Sequence, residues 1–460
     1  MKFARSLWVL LAVLLSVFNL SAQQDSIMKF SLTEAQDYAI ENYYVSKNAE
    51  LDIKSAKWRV WETTALGFPQ VTANASYQHI PGEIPTLDLG MDSLFNYLFG
   101  SLNDLGYPPP SSLTESSSGS SNAIAPRNTF NYGITVTQLI FSGEYIVGLQ
   151  AARVYKSISE ETNEKTGVEL KQSVADNYFA LLILKGNREI LEKTLTNLKD
   201  NLFQLQKSFE VGLVEDTEVD QIDLVVKRTE NSLVSLDRQI EFLTNMFKYQ
   251  IGLNPEVQIE LTDNIDNLIT ENIVNDAAYN FVLEDNIDFQ MLSTQEKLMQ
   301  LLMKREKSKY LPTVAGFYQY QDKTQKTDFD FTIKHIIGVT VDFPIVTSGS
   351  RMAQVSQARI EYEKAQNTRE QEINRLYMAA EQAIFDYRTA LEKYNNEKLN
   401  FELSEKVYNK TSEKYREGFV SSLELSLVNN QYLQAQLTYS TAVQELLSAK
   451  IAMDKVYNKL

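Results

Sequence analysis

Residues 207–220 read KSFEVGLVEDTEVD, and Gly212 cuts what is otherwise more than a hundred residues of helical pattern. Residues 413–426, EKYREGFVSSLELS, repeat the event at Gly418, so the two cuts are 418 − 212 = 206 residues apart. The same offset carries Phe141-Ser142-Gly143 onto Thr347-Ser348-Gly349. After Gly212, the positions Ile222, Val226, Thr229, Leu233, Leu236, Ile240, Leu243 and Phe247 alternate spacings of four and three. Shifted by 206, they become Val428, Tyr432, Ala435, Tyr439, Ala442, Leu446, Ala449 and Met453, and neither set holds a charge. Such a match marks an internal duplication of helices that pack lengthwise through a and d positions.

The rhythm also runs upstream of each cut, through Leu191, Leu195, Leu198, Leu202, Leu205 and Phe209, and in part through Phe401, Tyr408 and Tyr415. A continuous helix from Gly143 to Phe209 would extend on the order of 100 Å at 1.5 Å per residue. Further upstream, Phe68-Pro69-Gln70 resembles Leu311-Pro312-Thr313, at an offset of 312 − 69 = 243. Each proline is expected to end an amphipathic helix, over residues 31–66 and 275–309. The first copy carries extra residues in 80–128, including the low-complexity PPPSSLTESSSGSSNAIAP, which reads as loop. The chain thus divides into a first repeat at 23–253 with its tip at Gly212, a short segment at 254–274, and a second repeat at 275–460 with its tip at Gly418.

Between each proline and each long helix lie two segments of period two. They are 71–80 and 129–141 in the first repeat, and 313–322 and 335–345 in the second. Phe130, Tyr132, Ile134 and Val136 alternate with Asn131, Gly133, Thr135 and Thr137, and the other segments follow suit. These are strands, each near the 9–11 residues that a tilted strand needs to cross a bilayer. A soluble pair of hairpins is the plainer alternative. Two features favour a membrane. One face keeps Gln, Asn and Thr, as a wet lumen requires. Aromatic residues (Trp61, Phe68, Phe141, Tyr145, Tyr310, Phe343) gather at the helix-side ends, where an interfacial girdle belongs. Four strands cannot close, and an open edge does not survive in lipid. Two copies would make a barrel of eight strands filled by side chains, whereas three would make one of twelve strands with a lumen.

Lys2, Arg5 and the apolar run Leu7–Leu20, followed by Ser21-Ala22, form a secretory signal peptide with cleavage expected after Ala22. Removing its two basic residues leaves 42 − 60 = −18 from the 44 basic and 60 acidic residues of the whole chain. That acidity argues against nucleic acid as a partner. The chain has no cysteine, which excludes disulfides, thiolate metal sites and cysteine nucleophiles. The two histidines, His79 and His335, fall at the outer strand ends and read as satisfied surface residues. No nucleophile–base pair, phosphate loop or cofactor motif stands out, so neither an enzyme nor a cofactor or metal is expected.

This order of helix, proline, strand pair, long helix, glycine turn and return helix, twice over, resembles the TolC family of outer-membrane channel proteins. The resemblance spans the mature chain. Its local matches are Leu32-Thr33-Glu34-Ala35, Phe68-Pro69-Gln70, Gln138-Leu139-Ile140-Phe141-Ser142-Gly143 and Val211-Gly212-Leu213. It implies an α+β membrane protein, a homotrimer with a barrel of twelve strands continued by a long helical barrel in the periplasm. The implied function is export across the periplasm and outer membrane. The implied partners are outer-membrane lipid, a periplasmic adaptor and an inner-membrane pump of proton-driven or ATP-driven type. The 254–274 segment would be equatorial and the 80–128 loop extracellular. The glycine turns, Val211, Gly212, Leu213 and Val214 with Glu417, Gly418, Phe419 and Val420, would be adaptor-docking tips. Tyr415, Glu218 and Glu424 match positions of the family's periplasmic gate. Leu427 departs from its acidic ring, and Val420 stands where the family has an arginine.

Other readings stay open at this point. Glu218 and Glu424 also suit the first turn of any helix, where a carboxylate gains about 0.3–1 kcal/mol. The whole chain could instead be an exported periplasmic coiled coil that bridges partners without a pore. An exported hydrolase has no residue to support it.

Overall fold

The computed structural model describes residues 27–81, 86–87, 91–106, 122–123, 128–273, 279–325 and 332–460. The expected signal peptide and most of the low-complexity stretch lie outside the described residues. In chain order the elements are strand β1 (Met28–Phe30), helices α1 (Leu32–Asn42) and α2 (Tyr44–Ala65), strands β2 (Gln70–His79) and β3 (Thr86–Leu87), helix α3 (Met91–Asp104), strands β4 (Asn122–Ala123) and β5 (Asn128–Phe141), helices α4 (Gly143–Glu210) and α5 (Asp216–Gln250), strand β6 (Ile259–Leu261), helices α6 (Ile265–Asn272) and α7 (Ile287–Ser308), strands β7 (Thr313–Lys323) and β8 (His335–Asp342), and helices α8 (Ser350–Arg416) and α9 (Ser422–Val456).

The duplication holds to the residue. Helices α5 and α9 are each 35 residues long, and their first and last residues are 206 apart, as 422 − 216 and 456 − 250 both show. At the tips, Gly212 and Gly418 adopt φ of 75° and 80°. Leu213 N–H donates to Ser208 O and Gly212 N–H to Phe209 O, both at 2.9 Å, and Phe419 and Gly418 repeat the pair onto Lys414 and Tyr415. This pair of hydrogen bonds satisfies the last helical carbonyls and requires a left-handed residue, for which glycine carries no Cβ penalty. The motif closes the return helices as well. Gly252 (φ 76°) follows α5, and Asn458 (φ 55°), 458 − 252 = 206 residues later, follows α9.

Three expectations are corrected. The first amphipathic helix is two, because Tyr43 is extended (ψ 139°) between α1 and α2. The helix expected from 275 starts at Ile287, where the Asn286 side-chain oxygen accepts from Asp288 N–H at 3.0 Å and Phe289 N–H at 3.3 Å; residues 274–278 lie outside the described residues. The 80–128 segment is not loop throughout, since it carries α3 and the short β3–β4 pair.

The chain forms two compact units that cut across the repeats, so each unit takes residues from both copies. One comprises the described residues up to Ala56 with Lys156–Glu296 and Lys364–Leu460; the other is Lys57–Tyr155 with Lys297–Glu363. In the first unit, Tyr178, Phe179, Phe247, Tyr387, Leu446, Leu447 and Met453 anchor one apolar core. Each such side chain contributes about 1.5–3 kcal/mol on burial. β1 pairs in parallel with β6 beside this core, and Tyr178 Oη donates to Phe30 O at 2.9 Å. A second cluster, Leu195, Leu198, Leu205, Ile222, Val226, Tyr408, Leu425 and Tyr432, fills the helices nearer the tips. None of the heptad positions named from the sequence in α5 and α9 is exposed. Between α8 and α9 the rings of Tyr408, Tyr432, Phe401 and Tyr439 stack in a ladder, with centroids 5.0, 5.8 and 5.2 Å apart.

The second unit is built on a sheet of four antiparallel strands in the order β2-β5-β7-β8, which leaves β2 and β8 as its edges. Among the described residues no helix is long and apolar enough to cross a membrane.

Candidate functional site

Two features carry the chemistry. The first is the sheet. Its register aligns Val71, Val136, Tyr318 and Ile337 in one row, and Ala73, Ile134, Tyr320 and His335 in the next. Side chains directly opposite share a face, so these rows build an apolar and aromatic surface. The intervening rows run Gln70, Thr137, Phe317, Gly338 and Thr72, Thr135, Gln319, Ile336, and further out Ser76, Asn131 and Lys323. That face is mostly polar. The apolar face has no cover among the described residues: Ile337 is 83% exposed, Val339 65% and Val71 66%. An apolar patch of this extent on a water-soluble surface would drive association.

The aromatic residues expected at the strand ends are placed there, all in the same unit. Phe141 ends β5, Tyr310 precedes β7, Phe343 follows β8, and Phe68 precedes β2 with its ring 6.0 Å from that of Trp61. Tyr145, half-buried, donates to Thr64 O at 3.2 Å. At the other end of the strands, His79 Nδ1 lies 2.7 Å from Asn128 Oδ1, and His335 Nδ1 lies 2.8 Å from Tyr318 Oη.

The second feature lies at the tips. The turns expose Val211, Leu213 and Phe419 at 70–77%, and Gly212, Glu417 and Gly418 are exposed as well, with Val214 and Val420 half-buried. Beside them a cleft of 600 Å³ is lined by Asn201, Val214, Glu218, Tyr415, Arg416, Phe419, Val420 and Glu424, among others. The three gate candidates therefore share one cavity. Tyr415 Oη is buried and has no hydrogen-bond partner among the described residues. Burial, with the charge of Glu218 second, pushes the Tyr415 hydroxyl up to about 12. The phenol therefore stays a neutral donor across the physiological range, in a residue that lines the same cleft as the Glu218 carboxylate. Glu424 sits in the first turn of α9, where its backbone N–H donates to Ser421 Oγ at 3.2 Å.

Sequence reasoning missed two members. Arg416 Nε donates to Asn201 Oδ1 at 3.1 Å, tying the end of α8 to α4. Asn201 is 1% exposed and its Nδ2 has no partner. Asn201 stands beside Leu202 of the apolar heptad, and Arg416 beside Tyr415; those were the available signals. An arginine is thus present in the cleft, four residues before Val420.

Because the Tyr415 hydroxyl makes no bond, Tyr415→Phe should change thermal stability little, within about 1 kcal/mol. The raised phenol has a signed consequence for pH. Its contribution to stability is present below pH 10, the ordinary value, and is lost as pH rises toward about 12. Alkaline titration of the helical ellipticity should therefore show a loss in that window that Tyr415→Phe reduces.

The geometry matches known proteins. The CmeC outer membrane channel of Campylobacter jejuni superposes with a TM-score of 0.71 over 93% of this chain and 85% of its own, at 14% identity. The VceC outer membrane protein of Vibrio cholerae gives 0.68 over 93% and 95%, at 15% identity. The open state of the MtrE outer membrane channel of Neisseria gonorrhoeae gives 0.66 over 93% and 88%, at 12% identity. Comparison with curated protein sequences gives no match. The profile of the outer membrane efflux protein family matches residues 111–241 and 278–459. With most of its length matched by that profile, the chain belongs to the outer membrane efflux protein family and resides in the outer membrane.

Proposed function

We propose that three copies of this chain form a continuous duct through which substrates leave the cell, loaded by an inner-membrane pump and a periplasmic adaptor. One observation carries the reading: a two-faced sheet of four strands whose edges, β2 and β8, are both unpaired among the described residues. Lipid tolerates a sheet only when it closes. The apolar face would meet lipid and the Gln, Asn and Thr face would line water. Three copies supply twelve strands, enough for a lumen. Two of the structural neighbours, CmeC and MtrE, are named as outer membrane channels, which supports a duct. The gathered aromatic residues would then mark the membrane interface, residues 254–274 the equatorial segment, and 80–128 the extracellular segment.

At the tips, the cleft would act as the gate. Tyr415 would donate to Glu218 in the closed state, with Arg416 and Glu424 setting the charge around it. In planar bilayers the double variant Tyr415→Phe with Glu218→Ala should raise single-channel conductance over the parent protein. Unchanged conductance would reject the latch.

The exposed turns would dock the adaptor. A Cβ added at Gly212 or Gly418 meets no heavy atom within 4 Å, so a side chain there projects into open space. The left-handed backbone costs about 1–2 kcal/mol per substitution, which long packed helices absorb. Gly212→Arg with Gly418→Arg should therefore abolish cross-linking to the adaptor and leave the particle assembled. Retained cross-linking would move docking away from the turns.

A further inference from the structure

The two histidines of the chain stand on the two open edges of the sheet. His79 is the last residue of β2 and His335 the first of β8, at the same, outer end of the strands. Both belong to the apolar face, since His79 is in step with Tyr77, Ala75 and Ala73, and His335 sits in the row of Ala73, Ile134 and Tyr320.

The register fixes how close they come when copies join, and this step rests on the three-copy reading above. Starting at Gln70, the first residue of β2, the row across the sheet passes Thr137 and Phe317 and reaches Gly338. Gly338 is four residues short of Asp342, the last residue of β8 (342 − 338 = 4). The row therefore climbs across the chain, as tilt requires. Four strand spacings at a tilt of 35–45° accumulate a stagger of about four to six residues. Side chains opposite one another must share a face, so the stagger is even. Six places His335 directly opposite His79 of the next copy; four places it opposite Tyr77, one step along the same face. Facing Cβ atoms are then about 4.5–5.5 Å apart, or about 7–8 Å on the diagonal.

Each imidazole is already oriented by its own chain. The Asn128 carboxamide oxygen also accepts from Tyr77 Oη at 3.0 Å, and as an acceptor it holds the proton of His79 on Nδ1. The Tyr318 hydroxyl can accept the same proton from His335. In His79, and in the His335 tautomer that donates to the Tyr318 oxygen, Nε2 is left as the atom with a lone pair to offer. A partner that fixes Nδ1–H and frees Nε2 is the outer-shell arrangement of metal-binding histidines. Among the described residues no single chain gathers three ligands for a metal; the pairing arises between copies. The neighbouring cation, Lys334, is matched by Asp322 at 3.0 Å.

We propose that His335 of each chain and His79 of the next copy form a site at the outer rim for a divalent transition-metal ion, held through the two Nε2 atoms. Imidazole favours zinc, copper and nickel over magnesium or calcium, and metal–nitrogen bonds of about 2.0–2.1 Å suit either span. The ion would clamp the seam between neighbouring strands, one ion per chain.

The absence of cysteine makes the geometry testable without background. In the full-length protein in outer membranes, His79→Cys with His335→Cys should give covalent dimers and trimers with a short bis-thiol-reactive cross-linker that reaches both the facing and the diagonal separation, and neither single variant should. Tyr77→Cys paired with Ile337→Cys reports the same seam one step inward. If the Tyr77–Ile337 pair cross-links and the histidine pair does not, the assembly stands and the proposed site falls. If no pair cross-links, the three-copy reading itself fails. Where the histidine pair does cross-link, calorimetric titration of the parent protein with Ni²⁺ alone should show one ion per chain, and the heat that dissociates the assembly should rise. His335→Asn should lose both effects. Cross-linking without Ni²⁺ uptake, or uptake equal in His335→Asn, overturns the metal site.

Discussion

Ile134→Arg should prevent assembly in the membrane, whereas Thr135→Arg, one residue along the same strand, should be tolerated. Ile134 lies mid-strand in β5 between Ala73 and Tyr320 on the apolar face; Thr135 lies between Thr72 and Gln319 on the polar face. A guanidinium on the lipid side near the bilayer midplane costs about 2–4 kcal/mol per chain. Each copy adds its own cost, so the effect on the assembled particle is multiplied. At Thr135 the same group would face water. The fraction of protein that runs as a heat-sensitive oligomer after detergent extraction checks the contrast. Equal behaviour of the two variants would contradict the assignment of faces.

Gly252→Ala should be the most damaging single change in the helical unit. Its φ is 76°, and a Cβ there would fall 2.6 Å from Asn42 O, 2.7 Å from Asn42 C and 3.0 Å from Tyr43 N. All three atoms are backbone. They belong to the break between α1 and α2, where Tyr43 N–H donates to Ala39 O at 2.8 Å. Retreat is also blocked by buried Ile251 and Leu253 on either side. The left-handed backbone alone costs about 1–2 kcal/mol; relieving the clash should bring the total to about 3–5 kcal/mol. Gly212→Ala is the control, because its φ is alike at 75° but its Cβ meets nothing within 4 Å. Thermal melts of the helical signal should show a large shift for Gly252→Ala and a small one for Gly212→Ala. Equal shifts would show that backbone conformation, not the close approach, sets the cost.

Much of this architecture is written locally and is therefore legible in the sequence. The period of the apolar residues reports packing directly, so Ile222 to Phe247 and their partners 206 residues on identified the return helices. The strands too were legible, because alternation from Phe130 to Thr137 reports two faces whatever the strand pairs with. What escaped is set by contacts distant in sequence. The break at Tyr43 has no proline or glycine of its own; it is imposed where Gly252 approaches. The late start of α7 depends on Asn286 as a cap, and an asparagine in a polar stretch does not announce which helix it caps. Asn458 was discoverable, since the 206 offset links it to Gly252 and asparagine is the common substitute in left-handed caps.

The site divides in the same way. Tyr415, Glu218 and Glu424 follow from spacing around two glycines, and folding brings all three to one cleft. Arg416 and its bond to Asn201 do not follow, because which face of α8 meets α4 is a tertiary matter. The Tyr415 hydroxyl makes no hydrogen bond within the described chain and lines the same cleft as Glu218, a donor in place for the proposed closed gate.

A closed barrel of these strands with a lumen requires three copies in the particle. The protein extracted from outer membranes in mild detergent should have, by native mass spectrometry, the mass of three chains, and should separate to single chains only on heating. Release of a single or paired chain by osmotic shock, without detergent, would contradict the closed barrel and with it the duct.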